Sequence, residues 1–129
     1  MNLILIFLTV LLSNGLMIQE NEIYGRWQLI KIELNSQMMQ PKQIDYYLTL
    51  TENSVSYNLD VNTCGAYDLT LINNRINYGG GCTKICCDSS YDEIAKYIDY
   101  RGDYKVEKNE LIISTDSTKI FLHRTMNKD

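Results

Sequence analysis

The chain has one proline, one histidine, one tryptophan and two phenylalanines among its 129 residues. With His123 as the sole imidazole, a nucleophilic triad would have to be built around it, and no local Ser or carboxylate motif speaks for one. The single proline, Pro41, lies in "NSQMMQPKQ" (35–43), the one long connection between apolar segments. Basic residues are in the minority, 12 against 16 acidic, for a net charge of −4. That balance gives no electrostatic reason to bind phosphate backbones or anionic membranes, so nucleic acid is set aside. Gly79, Gly80 and Gly81 lack the following Gly-Lys-Ser/Thr of a phosphate loop, and no segment repeats at a fixed period. The carboxylates of "YDE" and "DY" fall on turns or an expected solvent face, so paired acid-base chemistry is not indicated.

The sequence also has no apolar run long enough for a membrane-spanning helix. Residues 3–12 are apolar except for Thr9, and ten residues fall short of a hydrocarbon core of ~30 Å. Small residues follow at Ser13 and Gly15, so the opening has the shape of a signal peptide cleaved after Gly15, although no Lys or Arg precedes the run. No cysteine lies near its end to take a lipid. The expected organisation is a signal peptide over 1–15 and one domain over 16–129, secreted or periplasmic, monomeric and without a transmembrane helix.

What is present is a succession of short apolar segments with tight turns between them. "IYGRWQLIKIEL" (23–34) reads as a first strand with Trp27, Leu29 and either Ile30 or Ile32 facing inward. Segments 44–51 and 54–59 flank Glu52-Asn53, and segments 65–72 and 75–78 flank Asn73-Asn74, where Asn tolerates the positive φ of a hairpin turn. Segments 103–108, 110–115 and 118–124 follow, with turns at Lys108-Asn109 and Asp116-Ser117. Between these groups "SSYDEIAKYIDY" predicts a helix: Ser90 and Glu93 have capping-box spacing, and Ile94, Ala95 and Ile98 recur on one side. The fold expected is α+β, a small antiparallel barrel-like sheet of about seven strands with one helix before the last hairpins. Trp27, Tyr67, Ile94 and Ile98 are the expected core markers.

The cysteines are concentrated. Cys82, Cys86 and Cys87 fall within six positions and Cys64 stands apart. In an exported domain four cysteines read as two disulfides, and the adjacent Cys86 and Cys87 are poor partners for each other. Two connectivities follow: Cys64 with Cys87 and Cys82 with Cys86, or Cys64 with Cys86 and Cys82 with Cys87. A four-thiolate metal site lacks two separated Cys-x2-Cys knuckles, and a thiol-redox centre lacks the Cys-x-x-Cys spacing. No metal or other cofactor is expected.

The order of features resembles the META domain of HslJ-like envelope proteins. The resemblance is carried by "GRWQLIKIE", "NTCGAYDLTLINNRINY", "CTKICCDSSYDEIAKYI" and "YKVEKNELIISTDSTKIFLHR", which together cover nearly all of residues 16–129. It implies a non-enzymatic envelope or secreted module related to stress, interacting with a protein or small molecule that the residues do not identify. Gly25-x-Trp27 is also similar to the opening of the lipocalins, in which a Trp closes the bottom of an eight-stranded barrel around an apolar ligand. That resemblance implies a carrier of a small apolar molecule. A cysteine-based metal or redox protein is a further alternative.

Overall fold

A computed structural model describes residues 22–59, 62–82 and 93–125. The expected leader, Ser90 of the capping box, Cys86 and Cys87 lie outside the described residues. Nine strands are present: β1 (Gly25–Leu34), β2 (Gln37–Met39), β3 (Tyr47–Leu50), β4 (Val55–Leu59), β5 (Asn62–Ile72), β6 (Arg75–Cys82), β7 (Gly102–Glu107), β8 (Glu110–Ser114) and β9 (Thr118–Arg124). Each strand from β3 to β9 pairs antiparallel with the next, β1 pairs with β3, and β9 returns to pair with β1. Eight strands therefore form a closed meander, in which every central ladder is satisfied without a free sheet edge along the β1–β9 seam. The short β2 stands outside this ring, folded back on the far end of β1 by a turn at Asn35 and Ser36, both at positive φ.

All eight apolar segments named from the sequence contain strands, one more than the expected count of about seven, and β2 adds a ninth inside the supposed long connection. Asn73 and Asn74 both take positive φ, 53° and 57°, and close the β5–β6 hairpin with Ile72 opposite Arg75. On β1 the alternation slips: Trp27, Leu29 and Ile32 are buried while Ile30 is exposed. A bulge between Leu29 and Lys31 supplies the extra residue that moves the inward position from 31 to 32.

The α+β expectation is corrected to a mostly β fold. In the described part of the helix expected over 89–100 there is one five-residue 3-10 turn, Glu93–Tyr97. The physical reason is burial: Ile98 and Tyr100 both point into the core. Residues two apart are about 200° apart on a helix but share a side in extended chain, so tertiary burial overrides the helical spacing. Asp99 reinforces the break, since its carboxylate accepts a hydrogen bond of 3.1 Å from the Arg101 backbone N–H two residues on. Ile94 and Ile98 are buried against the barrel rather than as the face of a long helix. Trp27 is fully buried, and Tyr67 lies on β5 opposite Gly79, its side chain outside the description. Among the described residues no helix is long and apolar enough to cross a membrane.

Candidate functional site: a sealed base and a tyrosine node

The two ends of the barrel differ in chemistry. At the end where β1 begins, Trp27 lies opposite Arg124 of β9. The Arg124 guanidinium sits 4.2 Å from the indole ring centre. Its Nη1 donates to the Tyr24 carbonyl at 2.9 Å and its Nη2 donates to the Glu22 carbonyl. Trp27 Nε1 donates to the Ile23 carbonyl at 2.8 Å, so the residues just before β1 are held across the barrel mouth by three side-chain donors. Gly25 permits this crossing. Its φ is +134°, and a Cβ there would lie 2.8 Å from Arg124 Nη1. Thr125 extends the closure, its backbone N–H donating to the Arg26 carbonyl at 2.9 Å. Sequence reasoning placed Trp27 but missed Arg124, whose one signal was its position at the end of the last strand.

Strands β3 and β7 run antiparallel to β1 and so begin at the opposite end. Tyr46 and Tyr100, immediately before them, are both fully buried. Tyr100 meets Tyr57 of β4, which also meets Tyr78 of β6. The Tyr57 ring lies 5.2 Å from that of Tyr100, edge to face, and 6.0 Å from that of Tyr78. The Tyr100 hydroxyl is buried and makes no hydrogen bond, and the Tyr78 hydroxyl is buried beside Tyr57 and the Tyr100 backbone. Burial pushes both phenols well above the ordinary value of 10.0, and neighbouring hydroxyls add to it: Tyr57 acts on both, Tyr46 on Tyr100. Both groups stay protonated at any physiological pH and can donate. None of these four tyrosines is singled out by the sequence, where the many Tyr on strands read either as an aromatic binding face or, more commonly, as packing residues.

At the rim of the node, Arg101 reaches 5.8 Å from the Tyr78 ring centre. Its charge is matched by Asp99, through a two-pronged pair at 2.9 and 3.0 Å. Burial raises the Asp99 carboxyl, but the hydrogen bonds and charge of Arg101 outweigh this and hold it below its ordinary range.

The cysteines correct the expectation. Cys64 is bonded to Cys82, directly opposite it across β5 and β6, with the two Cα atoms 4.0 Å apart. Both expected connectivities paired these residues elsewhere, because the segment after Tyr78 was read as a loop. It continues instead as β6, in register, to Cys82. The same bond removes two of the thiols that a four-cysteine metal or redox site would need. Gly80, two residues before Cys82 on β6, lets the strands approach: a Cβ there would lie 2.7 Å from the Ala66 Cα.

His123 is exposed on β9 beside Glu110, at an open groove also lined by Glu107, Lys108 and Asn109. Among the described residues no three His, Cys, Asp or Glu side chains are placed to hold a metal ion. Compared with known proteins, the chain matches no family model, and no curated protein or solved structure is significantly similar to it.

Proposed function

We propose that the protein is an exported, non-enzymatic binding barrel that carries a small apolar molecule, in the manner implied by its resemblance to the lipocalins. The observation that carries this reading is the division of labour between the ends of the closed barrel. One is sealed by Trp27 and Arg124, and the other holds the buried phenol hydroxyls of Tyr78 and Tyr100. Ligand sites pair apolar walls with a few convergent polar groups, and the tyrosine end supplies both kinds of group. Native mass spectrometry of freshly purified protein tests it. A stoichiometric non-covalent adduct, lost on denaturation, supports the carrier; a chain that binds nothing from an extract of apolar metabolites refutes it.

A second reading keeps the META resemblance, with the domain as an envelope or secreted interaction module. It is favoured by the number of large side chains already filling the interior, among them Trp27, Tyr46, Tyr100, Leu48 and Ile113. In that case the outer surface would carry function, and the native mass would be that of the chain with a protein partner.

A further inference from the structure

A sheet edge offers backbone groups that another extended chain can pair. Strand β2 has such an edge: β1 takes one of its sides, and among the described residues no strand takes the other. Leu34 and Gln37 close the two-residue turn as a hydrogen-bonded pair, which makes Glu33 and Met38 the non-bonded pair that follows. The Met38 N–H and C=O therefore point away from β1, toward the open side. A cleft of about 130 Å³ lies between β2 and the 3-10 turn, with no residue of β1 in its walls. Met38, Met39 and Ile94 make it apolar, and Gln40, Lys42 and Glu93 line the rest. We propose that the open side of β2 is a docking site for an extended peptide segment of a partner protein, which adds a strand beside Met38 and places an aliphatic side chain in the cleft.

The occupant follows from the size of the cleft and the groups beside it. Pockets for drug-sized ligands start at about 300 Å³, whereas an apolar cavity of about 150 Å³ holds a benzene-sized group. A single Leu or Ile side chain has that size, and a peptide backbone supplies the acceptor and donor that Met38 lacks. The two faces of the added strand divide the work. Met38 is 55% exposed and Met39 packs on the core, so the peptide residue bonded to Met38 faces outward and its neighbours face Met39 and the cleft. Lys42 and Glu93 bring one charge of each sign, which leaves the charge of the peptide unselected. A second copy of this chain is the poorer occupant, because three residues of β2 pairing with themselves cover far less than the about 1,200 Å² of a stable dimer. The same small contact makes the peptide complex weak and rapidly exchanging.

Because β2 stands outside the closed ring, the inference is independent of the carrier reading. The test is a titration of the isotope-labelled full chain with the peptide acetyl-Thr-Leu-Thr-Leu-Thr-amide, read from backbone amide NMR shifts. In the free chain the Met38 amide should exchange rapidly with solvent, and the peptide should shift Met38 and its neighbours most. Replacing both peptide Leu by Ala should weaken binding by about tenfold, the worth of one buried aliphatic side chain. N-methylating the three peptide Thr, which deletes the donors aimed at β2, should weaken it severalfold. Met38→Pro, whose ring deletes the outward N–H and leaves the bonds to β1, should do the same. A Met38 amide already protected in the free chain, equal binding of the N-methylated peptide, or shifts confined to other strands would overturn the inference. A concentration-dependent dimer that protects Met38 without peptide would overturn it in favour of a second copy.

Discussion

Arg124 lies opposite Trp27 across β9 and β1, with its guanidinium 4.2 Å from the indole ring and two of its nitrogens donating to the carbonyls of Glu22 and Tyr24. One side chain thereby joins the first strand, the last strand and the segment leading into the barrel. A planar fork is needed for this, since stacking and two divergent donations must be made together. Arg124→Ala should cost about 3 kcal/mol, combining a desolvated cation–π contact with charged hydrogen bonds. Arg124→Lys should recover less than half of that loss, and urea unfolding of the three proteins measures it.

Gly25→Ala should produce a related defect without touching either partner. The added Cβ meets Arg124 Nη1 and the backbone is at φ +134°. A loss of about 2 kcal/mol or more in urea unfolding is expected, from the strained backbone together with the displaced guanidinium.

The Cys64–Cys82 bond closes a loop with a sequence separation of 18. By the chain-entropy estimate it contributes about 3 kcal/mol. Peptide mapping without reductant should recover Cys64 and Cys82 in one linked pair, and the double variant Cys64→Ala/Cys82→Ala should lose that stability. Recovery of Cys64 linked to Cys86 or Cys87 would contradict the pairing.

Stability should also depend on alkaline pH. Folded Tyr78 and Tyr100 hold their protons above the unfolded value of 10.0, so the stabilisation is fully present below pH 10 and is lost as pH rises beyond it. Tyrosinate absorbance should therefore lag for these residues and appear with unfolding. Tyr100→Phe should make the alkaline loss shallower. At the acid end the sign reverses for Asp99: its contribution holds above the ordinary carboxyl value of 3.8 and is lost as pH falls below it, by a modest amount because the pair is half exposed.

The strands were legible because turn chemistry and alternation agree along this chain. Asn73 and Asn74 take positive φ, and β6 after them carries Ile76 and Tyr78 inward at every second position. The helix was misread because Ile94, Ala95 and Ile98 fit a helical face, while burial of Tyr100, which decides the conformation, depends on Tyr57 and Tyr46 from strands far away in sequence. The disulfide was misread for a similar reason: three glycines suggested a loop, yet they run in register along β5 and bring Cys82 to Cys64. Half of the base was legible as Gly25-x-Trp27; Arg124 enters only when the barrel closes. The tyrosine node is assembled from β4, β6 and the approaches to β3 and β7, so no local spacing announces it.

The central claim is an interior site for one small apolar molecule, and titration with neutral 1-aminoanthracene followed by fluorescence tests it most directly. The account predicts a blue-shifted emission that saturates at one dye per chain and is reversed by excess butylbenzene, a non-fluorescent apolar competitor. A weak signal rising linearly with dye, unaffected by butylbenzene, would contradict it.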